Sequence, residues 1–171
     1  MHRRKAIAML SLASIAIAKT KESAARKAFV GVWKLVSCES RDKTGEVQYP
    51  YGANPVGRLT YDAAGRMSAL LMDPGRRAIG GSSTRGLAAS IRGASPDDMR
   101  EILTGFIAYF GSFDIDESSS GVIHHVQASL IPNWVGTDLR RTYEFSNRTR
   151  LILTAPSDRG VVRLVWERHG R

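Results

Sequence analysis

Cysteine is almost absent from this chain of 171 residues, and the shortage restricts how the protein is stabilised. Cys38 is the single cysteine, so no disulfide forms within the chain. Cysteine pairs of zinc sites, a glycine-rich phosphate loop, a His-Glu-x-x-His helix and a Gly-x-Ser-x-Gly elbow are also missing. We therefore expect no metal and no cofactor. Hydrophobic packing must stabilise the fold, and 43% hydrophobic residues suffice for one domain with a core.

The apolar run at the N-terminus is too short to cross a membrane. It covers residues 6–18, follows a basic group at residues 2–5, and ends in the small-x-small pattern of residues 16–18. At 1.5 Å per residue such a run falls well short of roughly 30 Å of hydrocarbon. Segment 1–18 therefore predicts a cleavable bacterial signal peptide and a periplasmic or secreted mature protein without stable membrane insertion. The twin arginine at its start does not decide between the Sec and twin-arginine routes.

Much of the positive charge belongs to this targeting segment. The whole chain carries a net charge of +9, and removal of residues 1–18 leaves 22 basic against 16 acidic residues, a net charge of +6. No nucleic-acid-binding module accompanies the charge, so we expect no nucleic-acid partner. Segment 75–93 contains four arginines, five glycines and no acidic residue. Its composition predicts a mobile, solvated basic flap, and attraction of an anionic ligand is one role for it.

The remainder of the chain is organised as short strand-like segments joined by turns. Residues 19–30 form a polar lead-in, with a frayed segment and a short helix as the two options. Turn residues rich in Gly, Asn, Asp and Ser separate the alternating segments that follow. Residues 49–55, with two prolines and a glycine, indicate a loop. The predicted strands are 31–41, 57–63, 66–72, 109–116, 121–131, 138–146, 149–155 and 161–168.

Eight strands with hairpin-length links predict an all-β fold, an antiparallel up-and-down barrel formed by residues 31–171. Two tryptophan signatures, at Trp33 and Trp166, bracket the barrel, and closure would bring the first and last strands together. One helix interrupts the strands: Ser95 is a good N-cap and Pro96 suits the first helical position. We expect its apolar stripe to bury against the barrel. That stripe comprises Met99, Ile102, Leu103, Phe106, Ile107 and Phe110.

Strand alternation separates two adjacent histidines. His124 shares a face with Val122 and Val126, whereas His125 lies on the opposite face. Because the apolar face should point inward, we expect His124 inside the barrel and His125 outside. A core histidine satisfied by a hydrogen bond and a functional histidine both fit this pattern. The opposite directions of the two side chains argue against a shared metal.

The next strand adds a cation to the same interior. Arg141 alternates with Leu139, Tyr143 and Phe145, so its guanidinium belongs to an otherwise apolar row. A buried cation needs a partner, and the options are a carboxylate, an aromatic ring, backbone carbonyls or a ligand anion. A purely structural arginine fits equally. Together, His124 and Arg141 form a candidate polar pole in an apolar pocket.

Four further side chains are candidates to line that pocket. Tyr61 lies on the inward face of its strand, Met67 belongs to the next strand, and Tyr109 opens a third. Trp134 lies in the turn at residues 132–136, where it either gates the cavity or plugs it. For the tyrosine, ligand orientation and a core position are both consistent with the pattern.

The chain resembles the bacterial and fungal lipocalin-like domain family. The resemblance extends from about Gly31 to Arg168 and depends on several motifs in order. These are Gly31-Val32-Trp33-Lys34-Leu35-Val36-Ser37, Tyr49-Pro50-Tyr51-Gly52, Gly57 to Met67, Ala108-Tyr109-Phe110-Gly111, His124-His125-Val126, Pro132 to Thr137, Arg141, and Leu164-Val165-Trp166-Glu167-Arg168.

The resemblance implies a barrel with a central cavity for a small, mostly apolar molecule, and it implies that Trp33 and Arg168 close the barrel floor. We therefore expect an exported protein that binds a small hydrophobic or amphipathic ligand, with an anionic group as one option. Binding of this kind needs no chemistry. The alternative is a cofactor-free isomerase, cyclase or dehydratase with His124 as acid or base and Tyr61 or Arg141 stabilising an oxyanion.

Overall fold

The computed structural model describes residues 24–78 and 86–170. The predicted signal peptide, the first five residues of the lead-in and the centre of the basic segment lie outside these residues. None of the helices in the described ranges has the length and apolarity needed to span a bilayer.

The described residues form an antiparallel barrel, which confirms the predicted fold class. Each strand pairs with its neighbour in the order β2-β1-β3-β4-β5-β6-β7-β8-β9, and β1 also pairs with β9, which closes the sheet. The pairing of β2 is short, so eight strands make the wall. The strands are β1 (Gly31–Asp42), β2 (Val47–Gln48), β3 (Val56–Tyr61), β4 (Arg66–Met72), β5 (Phe106–Asp116), β6 (Gly121–Ser129), β7 (Asp138–Asn147), β8 (Arg150–Ser157) and β9 (Gly160–Arg168).

Alternation of inward and outward side chains builds the core. Each strand contributes every second residue to the interior, and these side chains form one hydrophobic cluster. A bulge between Leu35 and Ser37 interrupts the β1–β9 ladder and leaves Val36 exposed on the outside. Bulges increase the local twist of a strand, which helps a sheet to close on itself.

A second register shift, between Phe110 and Gly111, depends on a glycine. A Cβ atom added at Gly111 would lie 1.9 Å from the carbonyl oxygen of His125 on β6. No side chain fits there, so the close approach of β5 to β6 requires glycine at this position.

The helices lie at the barrel ends and in the β4–β5 connection. They are α1 (Ala24–Phe29), α2 (Leu87–Ser90) and α3 (Pro96–Thr104), together with a 3₁₀ turn at Pro132–Trp134. The predicted start of α3 is confirmed: Ser95 and Asp98 form a reciprocal capping box, and Pro96 occupies the first turn.

The predicted extent of α3 was wrong. The helix ends at Thr104, and Phe106, Ile107 and Phe110 belong to β5, where Phe106 pairs with Met72 of β4. Pairing along β4 overrides the helical spacing of these residues. The stripe on α3 is also not buried against the barrel, since no residue of this helix is fully buried and Leu103 is exposed.

Arginines of the basic segment tie α3 to the end of β4. The Nε of Arg77 donates to Glu101 at 2.9 Å, and its Nη2 pairs with Asp98. Arg76 Nη1 donates to the carbonyl oxygen of Ile102 at 3.3 Å. The expectation of a wholly solvated basic flap is therefore corrected at these two positions, because α3 supplies their partners. Residues 79–85 lie outside the described ranges.

Candidate functional site

One end of the barrel is closed by aromatic packing beneath α1. Phe29, the last residue of α1, is fully buried, and its ring meets those of Tyr61, Tyr143 and Phe145 at centroid distances of 4.9–5.1 Å. The indole of Trp33 donates to the carbonyl oxygen of Phe29 at 2.8 Å. This end, which we call the floor, has no room for a ligand.

The structure places Trp33 and Arg168 together at the floor, where their strands pair. The guanidinium carbon of Arg168 lies 4.2 Å from the Trp33 ring centroid. Its nitrogens also donate to three backbone carbonyl oxygens, those of Ala28, Val30 and Arg148. All of these contacts are internal to the protein, so the pair is structural.

A chain of three hydrogen-bonded side chains crosses the middle of the barrel. The Tyr61 hydroxyl oxygen lies 2.7 Å from His124 Nε2, and the Tyr109 hydroxyl oxygen lies 3.0 Å from His124 Nδ1. His124 is completely buried, and Tyr61 and Tyr109 are 1% and 6% exposed. The tyrosines come from β3 and β5 and the histidine from β6. Three strands therefore build one polar unit inside an apolar core.

This unit is uncharged at neutral pH. Burial lowers the pKa of His124 well below its ordinary value, and the positive charge of Arg141 lowers it further. Burial raises the pKa of both Tyr61 and Tyr109, and Arg141 opposes the shift only in part. The imidazole is neutral and both phenols keep their protons.

Acid–base catalysis by His124 requires open space next to the ring. The imidazole has no exposed surface, and both of its nitrogens are occupied by tyrosine hydroxyls. A general acid or base must lie within hydrogen-bond reach of its substrate, which this packing prevents. The alternative of an enzyme using His124 therefore has no support in this geometry.

Arg141 lies opposite Val122 on the β6–β7 ladder and is only partly buried. Its Nη1 donates to the carbonyl oxygen of Leu139 at 2.9 Å, and its guanidinium carbon lies 5.8 Å from the Tyr109 ring centroid. Within the described residues no carboxylate forms an ion pair with it, whereas Arg77 pairs with two carboxylates and Arg26, Arg66, Arg100 and Arg140 pair with one each. The cation thus meets an aromatic face and a carbonyl group, with most of its donors unused.

The remaining two predicted lining residues lie at different depths. Met67 is buried in the core, on the strand that pairs Tyr61. Trp134, in the 3₁₀ turn, is half-buried and packs edge-on against Tyr109 at a centroid distance of 5.8 Å. Of the six predicted lining residues, Tyr61, Met67 and His124 therefore belong to the packed interior. Tyr109 and Trp134 meet at the end opposite the floor, which we call the mouth, and the guanidinium of Arg141 reaches the Tyr109 ring from β7.

Sequence reasoning missed Tyr51 at the mouth. It follows the predicted loop proline Pro50, is half-buried, and packs on the core. Burial raises the pKa of Tyr51 to about 12, with smaller contributions from Cys38 and Tyr109, which lie nearby. The Tyr49-Pro50-Tyr51-Gly52 motif was the available signal. Other half-buried apolar residues at the mouth are Ile107, Leu139 and Val162.

A surface cavity of about 420 Å³ opens where β7 and β8 separate. The two strands pair from Thr142↔Thr154 towards the floor, but not beyond it towards the mouth. Its lining combines apolar and hydroxyl side chains with Asp116, Arg140 and Arg141. Another cavity, of about 360 Å³, lies between the end of β4 and α3. Neither borders His124.

Backbone direction explains why the β7–β8 ladder stops. The N–H of Tyr143 donates to the carbonyl oxygen of Ser120, so the backbone groups of Tyr143 point towards β6. Because this direction alternates along a strand, the backbone N–H and C=O groups of Thr142 and Arg140 point towards β8. In register with them, Thr154 and Pro156 face β7. Proline has no N–H to donate, so the ladder loses its donor at Pro156.

No group of three or more His, Cys, Asp or Glu residues in the described ranges is arranged to hold a metal ion. On the outer face, His125 lies between Asp114 and Asp138, and each carboxylate takes one ring nitrogen. The outward direction of His125 follows strand alternation, but the partnership with both aspartates was not predicted.

Comparisons with known proteins place this architecture in a family. A family model described as a lipocalin-like domain matches residues 30–169. Among solved structures, a redesigned β-barrel has a TM-score of 0.42 at 9% identity, covering 85% of this chain and 96% of that one. A mutant of the fluorescent protein UnaG has a TM-score of 0.38 at 11% identity, covering 83% and 96%. Among curated proteins, no sequence matches. The family match covers nearly all of the barrel, and the chain belongs to the lipocalin-like domain family.

Proposed function

We propose that this protein binds a small amphipathic anion at the mouth of its barrel. The apolar body of the ligand lies against Trp134, Tyr109 and the aliphatic rim, and its acidic group lies on Arg141. A lipocalin-like barrel is consistent with a hydrophobic ligand, and the anionic group is the refinement that Arg141 supports. The predicted signal peptide would make the site periplasmic or extracellular.

The uncompensated charge of Arg141 carries this proposal. A guanidinium offers five N–H donors in a planar fork that matches a carboxylate. One donor is used by Leu139, and no carboxylate pairs with the side chain within the described residues. The neighbouring polar groups, Tyr61, Tyr109 and His124, are neutral. Among the described residues, Arg141 therefore presents a positive charge that no bonded carboxylate balances, and a ligand anion would balance it.

The position of Arg141 makes the charge effective. Partial burial removes water from the guanidinium and lowers the local dielectric constant, which strengthens attraction to an anion. The half-buried rim leaves the group accessible, whereas a site near His124 would be sealed. Charge-assisted hydrogen bonds of this kind contribute about 1.5–3 kcal/mol each.

Two fluorescent probes of similar shape test the proposal. 8-Anilinonaphthalene-1-sulfonate is an anion, and N-phenyl-1-naphthylamine is its neutral counterpart. We expect Arg141→Gln to weaken sulfonate binding by about tenfold or more, the loss of one charge-assisted contact. Binding of the neutral probe should change less than about twofold, since its contacts are apolar.

Arg163→Gln is the matched control, because it removes the same charge from an exposed position of β9 outside the cavity that Arg140 and Arg141 line. It should leave both affinities near those of the native protein. Equal losses in the two variants would indicate general electrostatic attraction and contradict the proposal. Unchanged sulfonate binding in Arg141→Gln would contradict it as well.

A further inference from the structure

The hydrogen-bond chain at the centre of the barrel has one proton without an acceptor. A neutral imidazole donates from one nitrogen and accepts at the other. One tyrosine therefore donates to His124, and the other accepts from it. The hydroxyl hydrogen of the accepting tyrosine must find a different partner, and within the described residues neither hydroxyl has one.

The two oxygen–nitrogen distances between His124 and the tyrosines differ as expected for one hydroxyl donor and one N–H donor. Hydroxyl donors approach their acceptors to about 2.7–2.8 Å, whereas N–H donors stay near 2.9–3.0 Å. The contact from Tyr61 to Nε2 measures 2.7 Å and the contact from Tyr109 to Nδ1 measures 3.0 Å. The two lengths therefore favour an order in which Tyr61 donates to Nε2 and His124 Nδ1–H donates to the oxygen of Tyr109.

Burial favours the same assignment. The opposite one would strand the hydroxyl hydrogen of Tyr61, which is 1% exposed and enclosed by the rings of Phe29 and Phe113. A buried donor without an acceptor costs about 1–3 kcal/mol. Tyr109 is 6% exposed, and its ring contacts the half-buried Trp134 and the guanidinium of Arg141, so it is the nearer of the two tyrosines to the mouth.

We infer that Tyr109 is the second anion-binding donor of the mouth: with Arg141 it forms a two-donor clamp that selects a ligand group able only to accept hydrogen bonds, such as a carboxylate or sulfonate. Tyr61 and His124 are positioning residues, because their fixed donor order turns the Tyr109 hydrogen towards the ligand. This inference rests on the proposed function and adds the residue that determines the specificity of that site.

The arrangement explains why a polar chain is present in an apolar core. An ionised acid accepts from both donors and balances the charge of the guanidinium, whereas a neutral hydroxyl group can accept the same hydrogen bonds but leaves that charge unbalanced. Discrimination by a buried donor pair exceeds what an apolar pocket alone achieves. The clamp therefore separates an acid from the corresponding alcohol.

The same two probes test the clamp. Tyr109→Phe keeps the ring that packs on Trp134 and removes only the hydroxyl. We expect sulfonate binding to weaken about tenfold, while the neutral probe changes less than about twofold. Tyr143→Phe, which removes a hydroxyl near the floor, is the control and should bind both probes normally.

Nitrogen NMR of His124 gives an independent readout of donor order. We expect the Nδ1–H tautomer in the native protein, and a loss of this single preference in Tyr61→Phe. An Nε2–H tautomer in the native protein would overturn the inference, because Tyr109 would then donate to His124. This measurement decides the matter even where Tyr109→Phe fails to fold.

The binding results distinguish failure of the clamp from failure of the proposed function. Weak sulfonate binding in Arg141→Gln together with normal binding in Tyr109→Phe would overturn the clamp and retain the anion site. Normal sulfonate binding in both variants would overturn both proposals.

Discussion

His125 Nδ1 lies 2.6 Å from a carboxylate oxygen of Asp138 on the outer surface of the barrel. Asp114 takes the other ring nitrogen at 3.0 Å, and the chain of charges continues to Arg26 and Arg140 at 3.6 and 3.8 Å. The bond to Asp138 is the main cause that raises the pKa of His125 above 6.5; the bond to Asp114 adds to it, and partial burial opposes it.

The raised pKa of His125 predicts that the contribution of this residue to the free energy of unfolding falls with increasing pH. Below about pH 6.5 the imidazole is protonated in both the folded and unfolded states, and its ion pairs contribute fully. That contribution is lost as the pH rises through the higher pKa of the folded state. Urea unfolding at pH 6 and pH 9 should therefore show a larger difference between the native protein and His125→Gln at pH 6. An equal difference at both pH values would contradict this.

His169→Gln is the appropriate control for that experiment. His169 is exposed beyond the end of β9, and neither of its ring nitrogens pairs with a carboxylate among the described residues. Its loss should change the free energy of unfolding little, and by the same amount at both pH values.

The contact of Arg168 with Trp33 predicts a large loss of stability when it is removed. Arg168→Met keeps part of the aliphatic stem but loses three hydrogen bonds to carbonyl oxygens and the cation–π contact. We expect the free energy of unfolding to fall by about 2–4 kcal/mol, measured by urea unfolding. Arg163→Met, on the exposed face of β9, should cost less than about 0.5 kcal/mol. A comparable loss in both variants would contradict a special role for the floor.

Strand alternation is the part of this fold that the sequence makes predictable. Alternation with a period of two residues depends only on residues that are close in the sequence. It therefore predicts the wall strands, and the face on which His124 and Arg141 lie, without knowing which strands pair. The end of α3 was misplaced because Phe106, Ile107 and Phe110 suit a helical stripe as well as a strand. Pairing with β4 decides between the two, and that contact is not local.

The polar chain was less predictable for the same reason. Tyr61 and His124 are 63 residues apart, and Tyr109 and His124 are 15 apart. Alternation shows that each side chain points inward, but only the shear of the barrel determines which inward side chains meet. The sequence therefore suggested a pocket lined by His124, whereas the folded chain fills that space with two tyrosines.

The hydrogen bond from Tyr61 to His124 should stabilise the fold measurably. Tyr61→Phe leaves the Nε2 atom of a fully buried imidazole without a partner, and we expect a loss of about 1–3 kcal/mol in urea unfolding. Tyr143→Phe is the matched control, because its hydroxyl makes no hydrogen bond within the described residues and it should cost less than about 1 kcal/mol. Equal losses would mean that removal of a hydroxyl, and not the specific hydrogen bond to His124, decides the effect.

Replacement of Pro156 should allow β7 and β8 to pair further towards the mouth. Pro156→Val supplies the missing N–H on the side that faces β7, so the ladder should extend to Arg140. The net change in stability should be small, because one added hydrogen bond of about 0.5–1.5 kcal/mol is offset by a more flexible unfolded chain. Hydrogen exchange is the sharper measurement. The amide introduced at position 156 should exchange slowly, while that of Ala155, which faces β9, should not change. Fast exchange at position 156 would show that something other than the missing donor holds the strands apart.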